Sequence, residues 1–392
     1  MRYEWPAQGG NRATALKDDV MIVVIGAGLI GLGIAYELAK RGANVRVIDA
    51  REPAGAASWA GAGMLAPFTE SLPSLAFESF CAASLASYPS YVAELHERSG
   101  VDARLRLDGI VESAYDETGA GTLRARIARL TARGLAAEYL DAAEARSLEP
   151  ALGPGVRGAA WCRAEGHIDN RRLGRALRAA CDALGVSIDA HCGSVAIEAD
   201  ARRVLGVRSP AGFVPASAVV NAAGAWAGSL EGVPAHARIP VVPVKGQMLA
   251  LAMPRGFIGR TLWVPGAYLV PRDDGRLLVG ATVEDAGFDV RVTAGGQRAL
   301  LAAALDAVPA LAGFAVVETW AGLRPGSPDG LPFIGATALG GYYAAAGHYR
   351  NGILLTPATA NAVANLLEGL AVPQIAAFAP LRVQDALVPV AN

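Results

Sequence analysis

Hydrophobic and polar positions along the start of the chain predict a strand, a helix and a second strand. Met21–Ile25 is unbroken apolar sequence, which is typical of a parallel strand buried on both faces. From Leu29 the apolar positions recur at helical spacing until Gly42 ends the helix, and Asn44–Ile48 returns to a strand pattern. The three elements together predict one βαβ unit that is complete by residue 49.

The same patterns predict the main elements further along the chain. Asp169 is expected to cap a helix with an apolar stripe, followed by a short strand at 186–188. Residues 219–224 read as a buried strand that ends in glycine, and segments 239–251 and 268–282 alternate with turns as in antiparallel hairpins. Thr356 is expected to be the N-cap of a helix that continues to residue 367.

Composition indicates a folded protein with a large core and more than one domain. The chain has 392 residues, of which 53% are hydrophobic and only 18% charged, which excludes ordinary disordered chains. The net charge of −1 lacks the basic excess that nucleic-acid-binding proteins use, so no nucleic-acid partner is predicted. Four dispersed cysteines fit neither a disulfide framework nor a zinc site, and five histidines show no ligand spacing. We therefore expect a cytoplasmic protein without a metal ion.

The first 39 residues superficially resemble a signal peptide or a membrane span. Asp18 and Asp19 stand almost directly against the apolar run that begins at Met21, and four glycines interrupt that run, so stable membrane insertion is not expected. Residues 1–20 show no periodicity and are interpreted as a flexible extension.

The βαβ unit carries a dinucleotide-binding motif. Gly26, Gly28 and Gly31 give the pattern G-x-G-x-x-G between the strand and the helix, with Leu29 and Ile30 inside it. In this motif the first glycine permits the turn, the second lets backbone approach a pyrophosphate, and the third lets helix and strand pack closely. An acid 18 residues later, Asp49, accepts hydrogen bonds from a ribose and disfavours a 2′-phosphate. NADP is therefore disfavoured, while FAD and NAD both remain open.

Two further segments are similar to a known family. Residues 55–67 form a small-residue loop, and residues 320–330 read WAGLRPGSPDG, followed by GHYRNGI at 347–353. With the glycine motif, these segments resemble the D-amino-acid-oxidase-like flavoproteins, most closely their glycine-oxidising members. The resemblance implies an α/β fold, noncovalent FAD, a discontinuous Rossmann-like FAD-binding domain and a second domain built on a mixed or antiparallel sheet. Residues 21–75, 155–238 and 318–375 are assigned to the first domain, and 76–154 and 239–317 to the second.

The resemblance also implies roles for individual residues. Arg324 matches the arginine that binds the substrate carboxylate, and Tyr268 and Arg350 match residues near that substrate. Three alternatives stay open: an ion pair of Arg324 with Glu318 or Asp329, a packed core position for Tyr268, and a surface position for Arg350. The predicted cofactor-binding residues are Gly26, Gly28, Leu29, Ile30, Gly31, Asp49, Ala50, Ala57, Ser58, Ala62, Gly63, Met64, Val195, Ala223, Gly224, Gly347, Arg350, Asn351, Gly352, Ile353 and Leu354.

The implied activity is the FAD-dependent oxidative deamination of glycine, with sarcosine or small D-amino acids as further substrates. The products are a 2-oxo acid, ammonia and hydrogen peroxide, molecular oxygen is the acceptor, and the reaction supplies thiamin thiazole biosynthesis. One rival is a D-amino-acid dehydrogenase that passes electrons to a quinone. Another is a nucleotide-binding module without catalysis, for which Arg324 and Tyr268 are unnecessary. Assembly into a homo-oligomer is left open.

Overall fold

The computed structural model describes residues 21–382. In chain order, the strands are β1 (Met21–Ile25), β2 (Asn44–Ile48), β3 (Met64–Leu65), β4 (Ile110–Ala114), β5 (Ala137–Asp141), β6 (Gly158–Cys162), β7 (Gly166–His167), β8 (Ser187–Asp189), β9 (Ala196–Ala199), β10 (Val204–Ser209), β11 (Gly212–Pro215), β12 (Ala218–Asn221), β13 (Val242–Ala252), β14 (Thr261–Val264), β15 (Ala267–Pro271), β16 (Arg276–Gly280), β17 (Val316–Gly326), β18 (Phe333–Ala336) and β19 (Tyr342–Ala346). The α-helices are α1 (Leu29–Lys40), α2 (Ala57–Ala60), α3 (Leu75–Ser99), α4 (Glu117–Ala132), α5 (Ala142–Leu148), α6 (Asn170–Ala183), α7 (Ala294–Ala307) and α8 (Thr356–Leu367). The predicted extension at residues 1–20 lies outside the described residues.

The first sheet has six strands in the order β18-β19-β12-β1-β2-β8. All neighbouring pairs are parallel except β18 and β19. Ile22 and Val24 of β1 face a core shared with helices α1, α3, α6 and α8. Val23 and Ile25 point to the other side, where they pack against the small sheet formed by β9, β10 and β11. Because both faces are covered, β1 has no polar position, as its apolar sequence predicts.

The second sheet has eight strands in the order β17-β13-β16-β15-β14-β4-β6-β5. Its pairs are antiparallel except for β14 with β4. Side chains alternate between its two faces: Leu249 and Leu269 join the core under helix α7, while Met248 and Tyr268 face the loop around helix α2. This second face and the carboxyl ends of β1 and β12 enclose the candidate site.

The predicted fold class is confirmed, since a largely parallel sheet with helices stands beside a mixed sheet that is mostly antiparallel. Helix α6, which is capped by Asp169, and strand β8 belong to the part of the fold built on the first sheet, as expected. The sheets divide the chain differently from the predicted domain limits in two places, because β6 pairs within the second sheet and α3 packs on α6 and α8. The assignment of residues to two domains stays a prediction. Within the described range, none of the helices has both the length and the apolar character needed to cross a bilayer.

Candidate functional site

The carboxyl end of β1 brings the glycine motif and Asp49 together. The Asp49 carboxylate accepts hydrogen bonds from the backbone N–H of Ala27 at 2.6 Å and of Arg51 at 2.9 Å. Burial raises the pKa of Asp49 above its usual value, although these two donors act in the opposite direction. The acid is therefore held rigidly at the end of β2, beside the turn that starts helix α1.

Each glycine of the motif has a different structural role. Gly26 has a φ of +104°, a conformation that other residues rarely adopt. A Cβ on Gly31 would lie 1.8 Å from the carbonyl oxygen of Gly26, so only glycine allows the helix to pack this closely. Gly28, the N-cap of α1, has no side-chain cap, and the first turn of that helix contains no acidic residue. The Ser58 hydroxyl accepts a hydrogen bond from the Leu29 N–H at 2.9 Å, and the other N–H groups of the first turn are left for an external anion.

A cavity of about 390 Å³ extends from this turn along the ends of β1, β2 and β12. It contains most of the residues predicted for the nucleotide half: Gly26, Gly28, Asp49, Ala50, Ala57, Ser58, Val195, Ala223 and Gly224. The sequence analysis missed Ser194, Arg51 and Trp226, which also line it. The Arg51 guanidinium lies 3.5 Å from the centre of the Trp226 ring. No spacing in the sequence relates these two residues, which are 175 positions apart.

A second cavity of about 140 Å³ continues from the first, and both are lined by Gly28, Ala57, Ser58, Ala222 and Gly224. It contains further predicted residues: Leu29, Ile30, Ala62, Gly63, Met64, Tyr268, Arg324, Arg350, Asn351, Gly352 and Ile353. The two predicted halves of the site, nearly 300 positions apart in sequence, therefore share one continuous space.

Side chains from distant elements hold the small-residue loop that forms one wall of this cavity. The Asn170 amide donates to the carbonyl oxygens of Ser58 and Trp59 at 2.7 and 3.1 Å. The Trp320 indole donates to Ala60 at 2.9 Å. Together with the packing of Trp59 against Trp320, these external donors set the position of the loop.

Arg324, Tyr268 and Arg350 all line the second cavity. Tyr268 is 7% exposed, and its hydroxyl lies 3.4 Å from the sulfur of Met248. The residue is thus packed in the core and also present at the cavity wall, and its contact with a substrate stays a prediction. Arg350 is not a surface cation, since it is paired inside the cavity.

Arg324 is held by backbone oxygens rather than by a carboxylate. Its Nη1 donates to the carbonyl oxygen of Thr282 at 3.0 Å and to that of Lys245 at 3.3 Å. The alternative ion pairs are absent because Glu318 binds Arg171 and Arg276, and Asp329 binds Arg382. The charge of Arg324 is therefore available to an anionic ligand.

A polar cluster behind the sheet positions the Thr282 carbonyl. The Thr282 hydroxyl donates to Glu284, whose carboxylate also lies 3.3 Å from the buried Lys245 ammonium. The Gln247 side chain donates to Glu284 at 2.9 Å, and its backbone N–H donates to the Thr282 hydroxyl at 2.8 Å. Lys245 and Gln247 point away from the cavity, so this cluster acts on Arg324 only through the backbone.

Glu70 is a functional candidate that sequence reasoning missed. Its carboxylate lies 2.7 Å from Nε of Arg350, and both residues line the second cavity. Burial raises the pKa of Glu70, while the charges of Arg350 and Arg324 act in the opposite direction. A single acid six residues after Met64 gives no pattern that would mark it in the sequence.

The segment before helix α8 differs from its prediction in one detail. Thr356 is the first helical residue rather than the N-cap, and its hydroxyl donates to the carbonyl oxygen of Gly352 at 2.9 Å. Leu355 occupies the N-cap position without a side-chain cap. His348 is fully buried beside this turn, 3.1 Å from the Thr359 hydroxyl, and burial lowers its pKa to about 3.

Three predicted cofactor-binding residues lie outside both cavity walls. Gly31 packs against Gly26, Gly347 lies between Phe333 and Ser327, and Leu354 is in the core under helix α3. Their predicted role as direct contacts stays a prediction. In the part of the chain that is described, no group of three or more His, Cys, Asp or Glu side chains could hold a metal ion.

The arrangement fits FAD. An acid for a ribose stands at one end, and next to it lies the start of helix α1, which has no acidic residue in its first turn and can face a pyrophosphate. A long apolar-walled space continues from there toward Arg324. The Gly28 position leaves room for this approach, because the nearest atom to an added Cβ is the Ser58 hydroxyl at 3.2 Å. Asp49, Gly28 and Ser58 would hold the nucleotide half.

Comparison with known proteins agrees with this geometry. The model of the DAO family, described as "FAD dependent oxidoreductase", matches residues 21–366. Glycine oxidase from Pseudomonas putida is 38% identical over 352 residues, which are 89% of this chain and 94% of the relative. The bifunctional protein ThiO/ThiG from a Synechocystis strain is also 38% identical over 92% of this chain, but the chain spans only 54% of that longer relative.

The solved structures show the same fold. The crystal structure of glycine oxidase from Geobacillus kaustophilus superposes with a TM-score of 0.88 and is 34% identical, covering 93% of this chain and 99% of its own.

Proposed function

We propose that this chain, which belongs to the DAO family of FAD-dependent oxidoreductases, catalyses the oxidative deamination of glycine. Glycine, water and oxygen would give glyoxylate, ammonia and hydrogen peroxide. The observation that carries the proposal is the Arg324 guanidinium, which faces the inner cavity beside Tyr268 and forms no ion pair with a carboxylate of residues 21–382. The relatives named glycine oxidase, which the chain covers almost completely, support the same substrate.

Arg324 would bind the substrate carboxylate. Nη1 is already oriented by two carbonyl oxygens, so the remaining N–H groups can bind a carboxylate with little loss of side-chain entropy. Tyr268 adds a hydroxyl at the same wall. Asp49, Gly28 and Ser58 would hold FAD, which would supply the acceptor for the hydride of the α-carbon and pass the electrons to oxygen. The protein's main contribution is then orientation of the α-carbon, which requires no general base if the amine is neutral.

The space beside Arg324 supports a small substrate. A cavity of about 50 Å³ adjoins Arg324 and Tyr268, and its other walls are formed largely by Ala57, Ala60, Gly61, Gly246 and Gly322. Small residues on several elements would leave room for glycine, sarcosine or a small D-amino acid. By association with the ThiO/ThiG relative, we propose that the product supplies thiazole formation in thiamin biosynthesis.

The test is the absorption spectrum of the purified holoenzyme, recorded without oxygen before and after addition of glycine. Bleaching of the flavin bands, followed by peroxide formation when oxygen is admitted, is the expected result. The Arg324→Ala variant should bind FAD but require much more glycine, whereas Arg298→Ala, which removes an exposed arginine outside the site, should behave like the parent. Flavin bands that persist with glycine would exclude this substrate. Bleaching without peroxide, together with reduction of an added quinone, would instead favour a dehydrogenase.

Noncovalent attachment of FAD, a cytoplasmic location and assembly into a homo-oligomer stay predictions.

A further inference from the structure

A third cavity, of about 490 Å³, lies outside the site described above. It is lined by residues from the segment before β4, from β7, from the first turn of α6, from the segment between β13 and β14, and from the turn between β15 and β16. Five of its lining residues are arginines: Arg104, Arg106, Arg172, Arg255 and Arg272. Nothing in the proposed glycine oxidation uses them.

Arg272 forms the floor of this cavity and is a buried cation without an ion pair in the described residues. It is 6% exposed and donates to the carbonyl oxygens of Ile168 and Ala62 and to the Asn170 side chain, at distances of 2.9 to 3.0 Å. All three acceptors are uncharged, and Asp169 and Asp274 offset the charge of Arg272 only from a distance, without forming an ion pair with it. Burial of a charge without a counterion is costly, which makes such a position a site for an anionic ligand.

The aspartates at the cavity compensate only part of the positive charge. Asp169 caps helix α6, Asp274 is paired with Arg276, and Asp273 approaches Arg106 only to 3.8 Å. Of the five arginines, Arg106 is paired with Asp108 and Arg104 with Asp102, which leaves Arg172, Arg255 and Arg272 without an ion pair in the range 21–382. His167 adds no charge near neutral pH, because burial and the neighbouring arginines hold its pKa well below the usual value.

The rim of the cavity carries cations that can bind a ligand. Arg255 is exposed and forms no hydrogen bond or ion pair with any other residue in the range 21–382. Arg104 is also exposed and is paired only with its near neighbour Asp102. The Arg172 guanidinium is anchored by the Asp102 carbonyl oxygen through Nε at 2.6 Å, which leaves its other donors for a ligand. Guanidinium groups converging from several elements match the several oxygens of a phosphate group.

We propose that this cavity binds a small phosphorylated molecule through Arg104, Arg172, Arg255 and Arg272. At about 490 Å³ this cavity is larger than the first cavity at the glycine motif, so the phosphate can carry a small organic group. A bound anion would also lie next to the flavin site, because Arg272 donates to Ala62 and strand β7 of the cavity wall pairs with Met64, and both Ala62 and Met64 line the second cavity.

The test is isothermal titration calorimetry of the FAD-saturated holoenzyme with glycerol 3-phosphate and, separately, inorganic phosphate. Ionic strength is matched with chloride at about 0.15 M, where surface attraction is screened. We expect one site per chain with a Kd below about 1 mM for at least one of the two compounds. Binding of glycerol 3-phosphate identifies an ester as the ligand, and binding of inorganic phosphate alone identifies the free ion. Saturating acetate, which competes at Arg324, should leave this binding unchanged.

The variant Arg104→Ala/Arg255→Ala removes two exposed cations and should weaken binding at least tenfold, by about 1.4 kcal/mol or more. Its glycine-dependent activity and melting temperature should match those of the parent, because neither residue lies in the catalytic site or the core. Arg202→Ala/Arg298→Ala removes two exposed arginines elsewhere and is the matched control. The proposal is overturned if neither compound binds at about 10 mM, if acetate displaces the compound, or if the two double variants weaken binding equally.

Discussion

Arg350 forms an ion pair with Glu70, in which Nε and Oε1 are 2.7 Å apart, at the wall of the cavity that also contains Arg324. The pair reduces the positive charge that an entering carboxylate meets. It also connects the loop after β3 to the segment before helix α8, which are 280 positions apart in sequence.

Replacing Glu70 by glutamine should strengthen the binding of small carboxylates. Glu70→Gln removes a negative charge close to Arg350 and Arg324, so the Kd for acetate should fall about fivefold, or about 1 kcal/mol. This Kd is obtained from the change in flavin absorbance as acetate is added. Glu97→Gln, an exposed position on helix α3, is the control. Weaker binding in Glu70→Gln would show instead that Glu70 chiefly positions Arg350.

Disturbing the cluster behind Arg324 should affect substrate binding more than turnover. Glu284→Gln weakens the contacts that hold the Thr282 carbonyl, which accepts from Arg324. The glycine KM should rise about tenfold while kcat changes little, because carboxylate binding is lost equally in the ground state and the transition state. Steady-state kinetics separates the two constants. Glu318→Gln, whose ion pairs lie on the same sheet outside the cavity, should leave both unchanged, and a fall in kcat alone would contradict the positioning role.

Asp49 should control cofactor affinity. Asp49→Ala removes the acceptor for the Ala27 and Arg51 N–H groups and the predicted ribose contact, so FAD binding should weaken about tenfold or more. Fluorescence titration of the apoprotein with FAD gives the Kd. Asp189→Ala, at the end of the neighbouring strand β8, should retain the parent affinity. Equal losses in both variants would indicate a general effect on the sheet edge.

Two glycines of the motif should respond differently to alanine. A Cβ at position 31 would collide with the Gly26 carbonyl oxygen at 1.8 Å, so Gly31→Ala should lower the free energy of unfolding by about 3 kcal/mol or more. At position 28 the nearest atom is the Ser58 hydroxyl at 3.2 Å, so Gly28→Ala should fold and lose FAD affinity instead. Urea unfolding of the two apoproteins distinguishes these outcomes. Similar stability losses would show that both positions serve packing.

His348 should make the fold sensitive to acid. Its pKa is about 3 in the folded protein and about 6.5 when unfolded, so between these values the unfolded chain binds the extra proton. The free energy of unfolding therefore falls as pH decreases from 6.5 toward 3, by up to about 1.4 kcal/mol per pH unit. His348→Asn should show a shallower dependence in urea unfolding at a series of pH values. Parallel pH profiles for parent and variant would exclude this contribution.

Local patterns were sufficient for the first βαβ unit and for the acid and glycines at one end of the site. The apolar run of β1, the glycine spacing and the acid after β2 lie within 30 residues, so their arrangement can be read from a short stretch of sequence. Arg324 and Tyr268 were located only through their resemblance to a family. Alternation along β13 and β15 shows which side chains share a face, but not what that face covers.

The sequence by itself determined the first βαβ unit and the glycines and acid at the nucleotide end of the site, because these lie within 30 residues of one another. Only the tertiary structure decided that Glu70 pairs with Arg350, that backbone oxygens hold Arg324, and that arginines from four segments converge on a separate cavity. A charged side chain has the same signature in the sequence wherever it lies. Its role depends on which distant elements the sheets bring against it, and on whether its counter-charge is supplied by the protein or left for a ligand.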